Sequence, residues 1–238
     1  MVKLIDQFYM IAGDKLTHPW DANAYLIAGD EPTLIDCGSY LGFDNLKKNL
    51  AQLGYKPQDI KRVIGTHGHW DHLAGMARLR EESDAELWLH PEDKEQVETG
   101  DFDLTSAFLY NEQFPKTKVD HDLVDNQELQ IGPYRFTVYH TPGHSLGSVC
   151  LLTEIQGLKI LVSGDTVGGH GHPRVKSDFV KWEQSLDKLL TLDFDVYTMG
   201  HSHPGLIYDG KVKVEEARKQ FGHYFSPWFK PFYMNFRY

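Results

Sequence analysis

The segment Thr66-His67-Gly68-His69-Trp70-Asp71-His72 places four residues of metal-ligand type within six positions. Imidazole nitrogens and carboxylate oxygens are donors that zinc takes in a compact shell. The cluster follows the short apolar run Val63-Ile64, so it is expected on one loop at a strand end. Residues i and i+2 of an extended loop point the same way, which predicts that His67 and His69 hold one metal. Asp71 and His72, at the turn into the next helix, then face a second. Isolated histidines carry little information in a chain with 13 of them, but chance does not readily produce this spacing.

Three more residues of ligand type each follow an apolar run and sit beside glycine. His144 lies in Thr141-Pro142-Gly143-His144-Ser145, Asp165 in Ser163-Gly164-Asp165-Thr166, and His201 in Met199-Gly200-His201-Ser202. Glycine permits the tight turn that brings a loop close to a metal. Each of the three is a modest signal alone. In chain order they supply what the first cluster lacks.

The elements that must position these residues are readable from hydrophobic spacing. Strands are expected within 2–11, at 23–28 and 33–36 around the turn Gly29-Asp30-Glu31-Pro32, at 63–64 and at 87–89. Helices are expected at 43–53, where Phe43, Leu46, Leu50 and Leu53 share a face, at 72–82, and from His90-Pro91 onward. Residues 99–127 are irregular and read as a helical hairpin or lid-like insertion. The second half predicts strands near 128–131, 135–140, 148–153, 158–163 and 194–199, with helices near 178–191 and 212–222. No linker or shift in composition divides the chain, so 1–238 reads as one domain: two stacked sheets with helices outside, an αββα sandwich of the α/β (α+β) class.

The order HxHxDH, PGHS, SGDT and GHS resembles the metal motifs of the metallo-β-lactamase superfamily. Asn23-Ala24-Tyr25-Leu26-Ile27 and Leu34-Ile35-Asp36-Cys37-Gly38 are similar to that family's opening strands, and the resemblance runs from about residue 20 to 205. It implies a four-layer αββα fold and two divalent metal ions, zinc first and iron or manganese as alternatives. His67, His69 and His144 would hold one ion, Asp71, His72 and His201 the other, with Asp165 bridging. A hydroxide shared by the pair would attack an ester, thioester or lactone carbonyl, with Asp71 as proton shuttle as well as ligand.

The resemblance also separates branches of the family. True β-lactamases lack the bridging aspartate and several use a cysteine ligand, whereas neither Cys37 nor Cys150 falls at a ligand position here. Flavodiiron oxidoreductases carry a glutamate where this chain has His69. The sequence is therefore most similar to the glyoxalase II, acyl-homoserine-lactone lactonase and thioesterase group. The alternatives are a mononuclear iron sulfur dioxygenase of the persulfide type, a phosphodiesterase, and a non-catalytic effector with a vestigial site.

Composition narrows the partners. A formal charge of −10 weighs against a nucleic-acid partner, because phosphate neutralisation needs Lys and Arg. No apolar stretch reaches the 18 or so residues of a membrane span, and Asp6-Gln7 interrupts any signal-peptide core, so a cytoplasmic protein with a small-molecule acyl substrate is expected. The two distant cysteines read as reduced, packed residues. Trp20, His170 and His172 are candidate substrate contacts, the two histidines on a glycine-rich loop that rims the site. His203 competes with His201 for the last ligand position, and Asp36 reads as a buried hydrogen-bonding support. The segment 221–238 holds nine of the chain's thirty aromatic residues and reads as a tail that packs on the domain, forms a homodimer or lines an apolar pocket.

Overall fold

The computed structural model describes residues 1–221, so the expected roles of the aromatic tail beyond Phe221 lie outside the described residues. The first half forms a seven-stranded sheet in sequence order: β1 (Val2–Ile5), β2 (Phe8–Ala12), β3 (Ala24–Ile27), β4 (Thr33–Ile35), β5 (Arg62–Ile64), β6 (Glu86–Leu89) and β7 (His121–Asp122). The expected single run 2–11 is a hairpin, because Gln7 adopts a positive φ of 51° and turns the chain between β1 and β2. Strands β1 to β4 pair antiparallel and β4 to β7 parallel. Parallel neighbours need crossovers. The helices α1 (Phe43–Gln52), α2 (Trp70–Leu73) with α3 (Gly75–Glu82), and α4 (Pro91–Thr99) lie on those connections.

The second sheet comprises β8 (Glu128–Ile131), β9 (Tyr134–His140), β10 (Val149–Ile155), β11 (Leu158–Val162) and β12 (Val196–Thr198), in the order β12-β11-β10-β9-β8. It is antiparallel except for β11–β12, which α5 (Phe179–Thr191) connects; α6 (Gly210–Gln220) follows β12. Strand periodicity sorts the side chains into three cores. Tyr25 and Ile27 of β3 meet Ile160 and Val162 of β11 between the sheets. Leu26 points the other way, toward Phe43, Leu46 and Leu50 of α1. Leu161 likewise packs outward on Trp182, Leu186 and Leu189 of α5. The result is the αββα sandwich that the alternation predicts.

Of the two expectations for the insertion, the helical hairpin does not hold. Residues 99–127 contain no helical hairpin, only a 3-10 turn at Ala107–Leu109 and the short edge strand β7. Its conformation comes from anchors and not from periodicity: Asp101 Oδ1 accepts from the amides of Asp103 and Leu104 at 2.9 and 2.8 Å, and Pro115 interrupts any longer helix. Cys37 and Cys150 are buried and unpaired with each other, as expected. Among the described residues no helix is long and apolar enough to cross a membrane.

His90 caps α4 by accepting from the Glu92 amide at 3.3 Å, and its ring stacks on His140 at 3.8 Å. Burial and the neighbouring His140 push its imidazole down to about 4. An unfolded histidine binds its proton near pH 6.5 or so. Between those values the unfolded chain holds the extra proton, so stability declines as pH falls through that window. His90→Asn keeps a capping side chain and removes the titration. The urea midpoint should therefore drop less between pH 7 and pH 4.5 in the variant than in the wild type; parallel profiles would refute this.

Candidate metal centre

All seven ligand-type residues stand at the C-terminal ends of strands or just beyond them. β5 leads into His67 and His69, α2 carries Asp71 and His72, β9 leads to His144, β11 to Asp165 and β12 to His201. Because β4–β5 and β11–β12 run parallel, their C-terminal ends share one edge of the sandwich. Glycine permits the closest approach: a Cβ at Gly200 would collide with Asp165 Oδ1, and one at Gly143, with φ 146°, would collide with the backbone of Trp182.

The side chains converge in two overlapping groups. His67 Nε2 and His144 Nε2 each lie 3.0 Å from His69 Nδ1. Asp71 Oδ2 lies 3.1 Å from His201 Nε2 and 3.9 Å from His72 Nε2. Asp165 spans both groups, with Oδ2 3.3 Å from His144 Nε2 and 3.3 Å from His201 Nε2, and Oδ1 3.4 Å from His72 Nε2. His203, the competitor, stays outside, its Nδ1 3.4 Å from Gly205 O.

These atoms fit a divalent ion. Bonds of about 2.0–2.1 Å to zinc separate tetrahedral ligand atoms by about 3.3 Å, close to the spacings observed. Among the described residues, His72 Nε2 and Asp165 Oδ1 are buried without a hydrogen-bond partner, and buried polar atoms are rarely left so. The electrostatics agree. Burial drives His67 and His69 far below the ordinary histidine range and His144 to about 4, which leaves neutral imidazoles with lone pairs. Burial alone would raise Asp71, yet His72 and His201 hold it at about 2, and His201, His72 and His144 hold Asp165 well below the ordinary carboxylate range against the same effect. Conversely, against burial, Asp36 and Asp165 raise His72 and Asp165 raises His201 to about 10. The second group therefore demands positive charge, supplied by protons or by a metal that displaces them.

Two buried carboxylates orient these ligands. Asp36 takes the left-handed conformation (φ 57°), an unfavourable one for a non-glycine residue. It accepts from Thr66 N at 2.8 Å, Thr66 Oγ1 at 2.7 Å and His72 Nδ1 at 2.8 Å, which leaves His72 Nε2 to face the site. This is the supporting role expected for Asp36. Asp93, near the start of α4, was not singled out by its sequence context. Its Oδ2 accepts from Gly68 N and Ser145 Oγ and its Oδ1 from Gly147 N, each at 2.7 Å. One carboxylate thus ties the His67–His69 loop to the His144 turn. Asn23 steadies the third loop by donating from Nδ2 to Met199 O at 2.9 Å and His203 O at 3.1 Å.

A cavity of about 460 Å³ opens over the cluster. Beyond the ligand-type residues it is lined by Leu109, Tyr110 and Ser106 of the insertion and by His170, His172 and Val175 of the glycine-rich loop. His170 and His172 are thus at the cavity, as their position after Asp165 implied. Trp20 is not among the residues that line it; its ring packs 5.8 Å from Tyr110, which is. Tyr110 carried no sequence signal, being one of several scattered aromatics in an irregular segment.

Residues 18–201 match the sequence model of the metallo-beta-lactamase superfamily. The chain belongs to this superfamily. It is 30% identical over 183 residues to the probable metallo-hydrolase YqgX of Bacillus subtilis, an alignment covering 73% of this chain and 81% of that protein. It is also 30% identical over 171 residues to an acyl-coenzyme A thioesterase of Homo sapiens, covering 61% of this chain and 58% of that one. Among solved structures, the subclass B3 metallo-beta-lactamase BJP-1 of Bradyrhizobium japonicum superposes with a TM-score of 0.71 at 26% identity, covering 84% and 76% of the two chains. As a superfamily member this chain carries a His/Asp cluster suited to divalent metal ions.

Proposed function

We propose that this protein is a dinuclear metal-dependent hydrolase that cleaves an ester, thioester or lactone carbonyl of a small acyl substrate. The observation that carries this reading is Asp165, whose Oδ2 stands 3.3 Å from a histidine of each ligand group, joining two sites into one. In this reading His67, His69 and His144 would hold one ion and Asp71, His72 and His201 the other, and Asp165 would serve both. A bound pair of divalent ions, zinc by donor set, supplies Lewis acidity and a water that ionises near neutral pH. The protein's residues do the rest. Leu109, Val175 and Met199 offer apolar contact to an acyl group, and His170 and His172 offer polar contact to the leaving side. Asp71 is the group best placed to hold the proton in transit, since its carboxylate faces both the cavity and His201.

A thioester is the favoured substrate class. Besides the human acyl-coenzyme A thioesterase, an atrochrysone carboxyl ACP thioesterase of Aspergillus fumigatus is 29% identical over 200 residues, and this chain spans 56% of its length. The test is a hydrolysis panel of thioesters, lactones, carboxylic esters and phosphodiesters on metal-reconstituted protein, with elemental analysis. Two ions per chain and preferential thioester or ester turnover are expected. One iron per chain, or turnover confined to phosphodiesters, would overturn the proposal. Asp71→Asn should lower kcat by about 10²–10⁴-fold, the range for a lost acid–base group. Near-wild-type turnover with both ions bound would remove Asp71 from that role.

A further inference from the structure

Asp71 and His201 belong to one ligand group but come from different sheets: Asp71 lies on α2, after β5, and His201 in the loop after β12. The 3.1 Å approach of Asp71 Oδ2 to His201 Nε2 therefore depends on how those two segments are joined. The residues leading into β3 join them. The Ala22 amide donates to Asp71 O at 3.2 Å, and the next amide, of Asn23, donates to Gly200 O at 2.7 Å. The Asn23 side chain then reaches both sides of His201, its Nδ2 donating to Met199 O at 2.9 Å and to His203 O at 3.1 Å. Tyr25 Oη also donates to Met199 O, at 2.8 Å. The start of this segment is itself fixed. The buried Asp21 carboxylate accepts from Thr17 Oγ1 at 2.5 Å and from Ser39 N at 2.9 Å.

The loop that carries His201 is strained. Ser202, the next residue, takes φ 65°, a left-handed conformation that a non-glycine residue keeps only where its surroundings impose it. Asn23 is 1% exposed, and both partners of its amide are carbonyls, so only the NH₂ can face them; a turned amide would set oxygen against oxygen. We propose that Asn23 is a positioning residue for the Asp71–His72–His201 group, clamping the backbone on either side of His201 to the segment that also holds the Asp71 turn. His72 takes its orientation from Asp36 through Nδ1, so His201 is the member that this clamp sets. The His67–His69–His144 group is tied by Asp93 instead, through Gly68, Ser145 and Gly147. The two groups should therefore respond separately to loss of the Asn23 amide.

This inference rests on the two-ion reading above, and the experiment separates the two. Metal-free full-length protein is titrated with cobalt(II) against a competing chelator, with d–d absorption reporting each uptake step. Asp71→Asn identifies which step belongs to its group. Asn23→Ala deletes both side-chain donors. That step should weaken about tenfold, the scale of a lost outer hydrogen-bond partner, while the other shifts by less than about twofold. Tyr25→Phe removes one donor to Met199 O and keeps the ring in the core between the sheets. It should weaken the same step by about threefold, the scale of one net hydrogen bond, and it decides the matter if Asn23→Ala does not fold. Two unchanged steps, or two steps weakened alike, in the deciding variant would overturn the positioning role. Uptake of a single cobalt by the wild type would overturn the two-ion reading, and the inference with it.

Discussion

In the proposed dinuclear site, Asp165→Asn should take up one divalent ion instead of two, and its turnover should fall by about a thousandfold or more. The substitution preserves shape and removes charge. In the folded chain the two Asp165 oxygens face His72, His144 and His201 at 3.3–3.4 Å. An asparagine offers one weaker oxygen donor, and its NH₂ would point at an imidazole nitrogen. Charge is the larger loss. Asp165 and Asp71 are the two carboxylates among the seven side chains, so removing one halves the negative charge that they offer to bound metal. The site lies in a buried cluster, where such charge is poorly replaced by solvent. Elemental analysis after dialysis, paired with kcat on the best substrate of the panel, measures both effects. Two retained ions with unaltered kcat would show that Asp165 does not join the subsites.

Asp93→Asn should be the most damaging change outside the ligand-type residues. Asp93 is fully buried, and burial raises its carboxyl above the ordinary value against the opposing pull of its three donors. Those donors, from Ser145, Gly68 and Gly147, all point at carboxylate oxygens. An asparagine accepts on one side only. Whichever way the amide turns, its NH₂ meets an N–H, leaving at least one buried donor unsatisfied. That costs about 2–4 kcal/mol, since the acceptor lost is a charged one. For a domain of this size the unfolding temperature should fall by roughly 5–15 °C. The loop between His67 and His69 and the turn after His144 would loosen together. Metal affinity should therefore drop with stability, and excess metal should restore part of the activity below the new melting temperature. A variant with wild-type stability and metal affinity would show that the tie between the two loops is dispensable.

The ligand-type residues could be read from the chain for a local reason. Each closes an apolar run, and the glycines beside His144, Asp165 and His201 mark turns. The sandwich was legible on the same basis, because alternation in β3 and β11 separates the face between the sheets from the face under the helices. The resemblance to a family added the grouping of ligands, which spacing alone left open after the first cluster.

The internal fold of the insertion was not legible because it has no period to detect. Its shape is imposed by Trp70, whose contacts with Thr105, Tyr110 and Gln113 lie 35 to 43 residues away in sequence. Asp93 carries no sequence signal for a related reason. An acidic residue in the first turn of a helix is ordinary helix chemistry, favoured there by the helix dipole, and its partners stand 25, 52 and 54 residues distant. The sequence alone therefore determined which residues could bind metal and the two-sheet fold that carries them, since both are written in neighbouring positions. Tertiary structure alone decided what holds those residues in place, and that Tyr110 lines the cavity with Asp71 whereas Trp20 does not. Such contacts join segments far apart in the chain and leave no local pattern in either one.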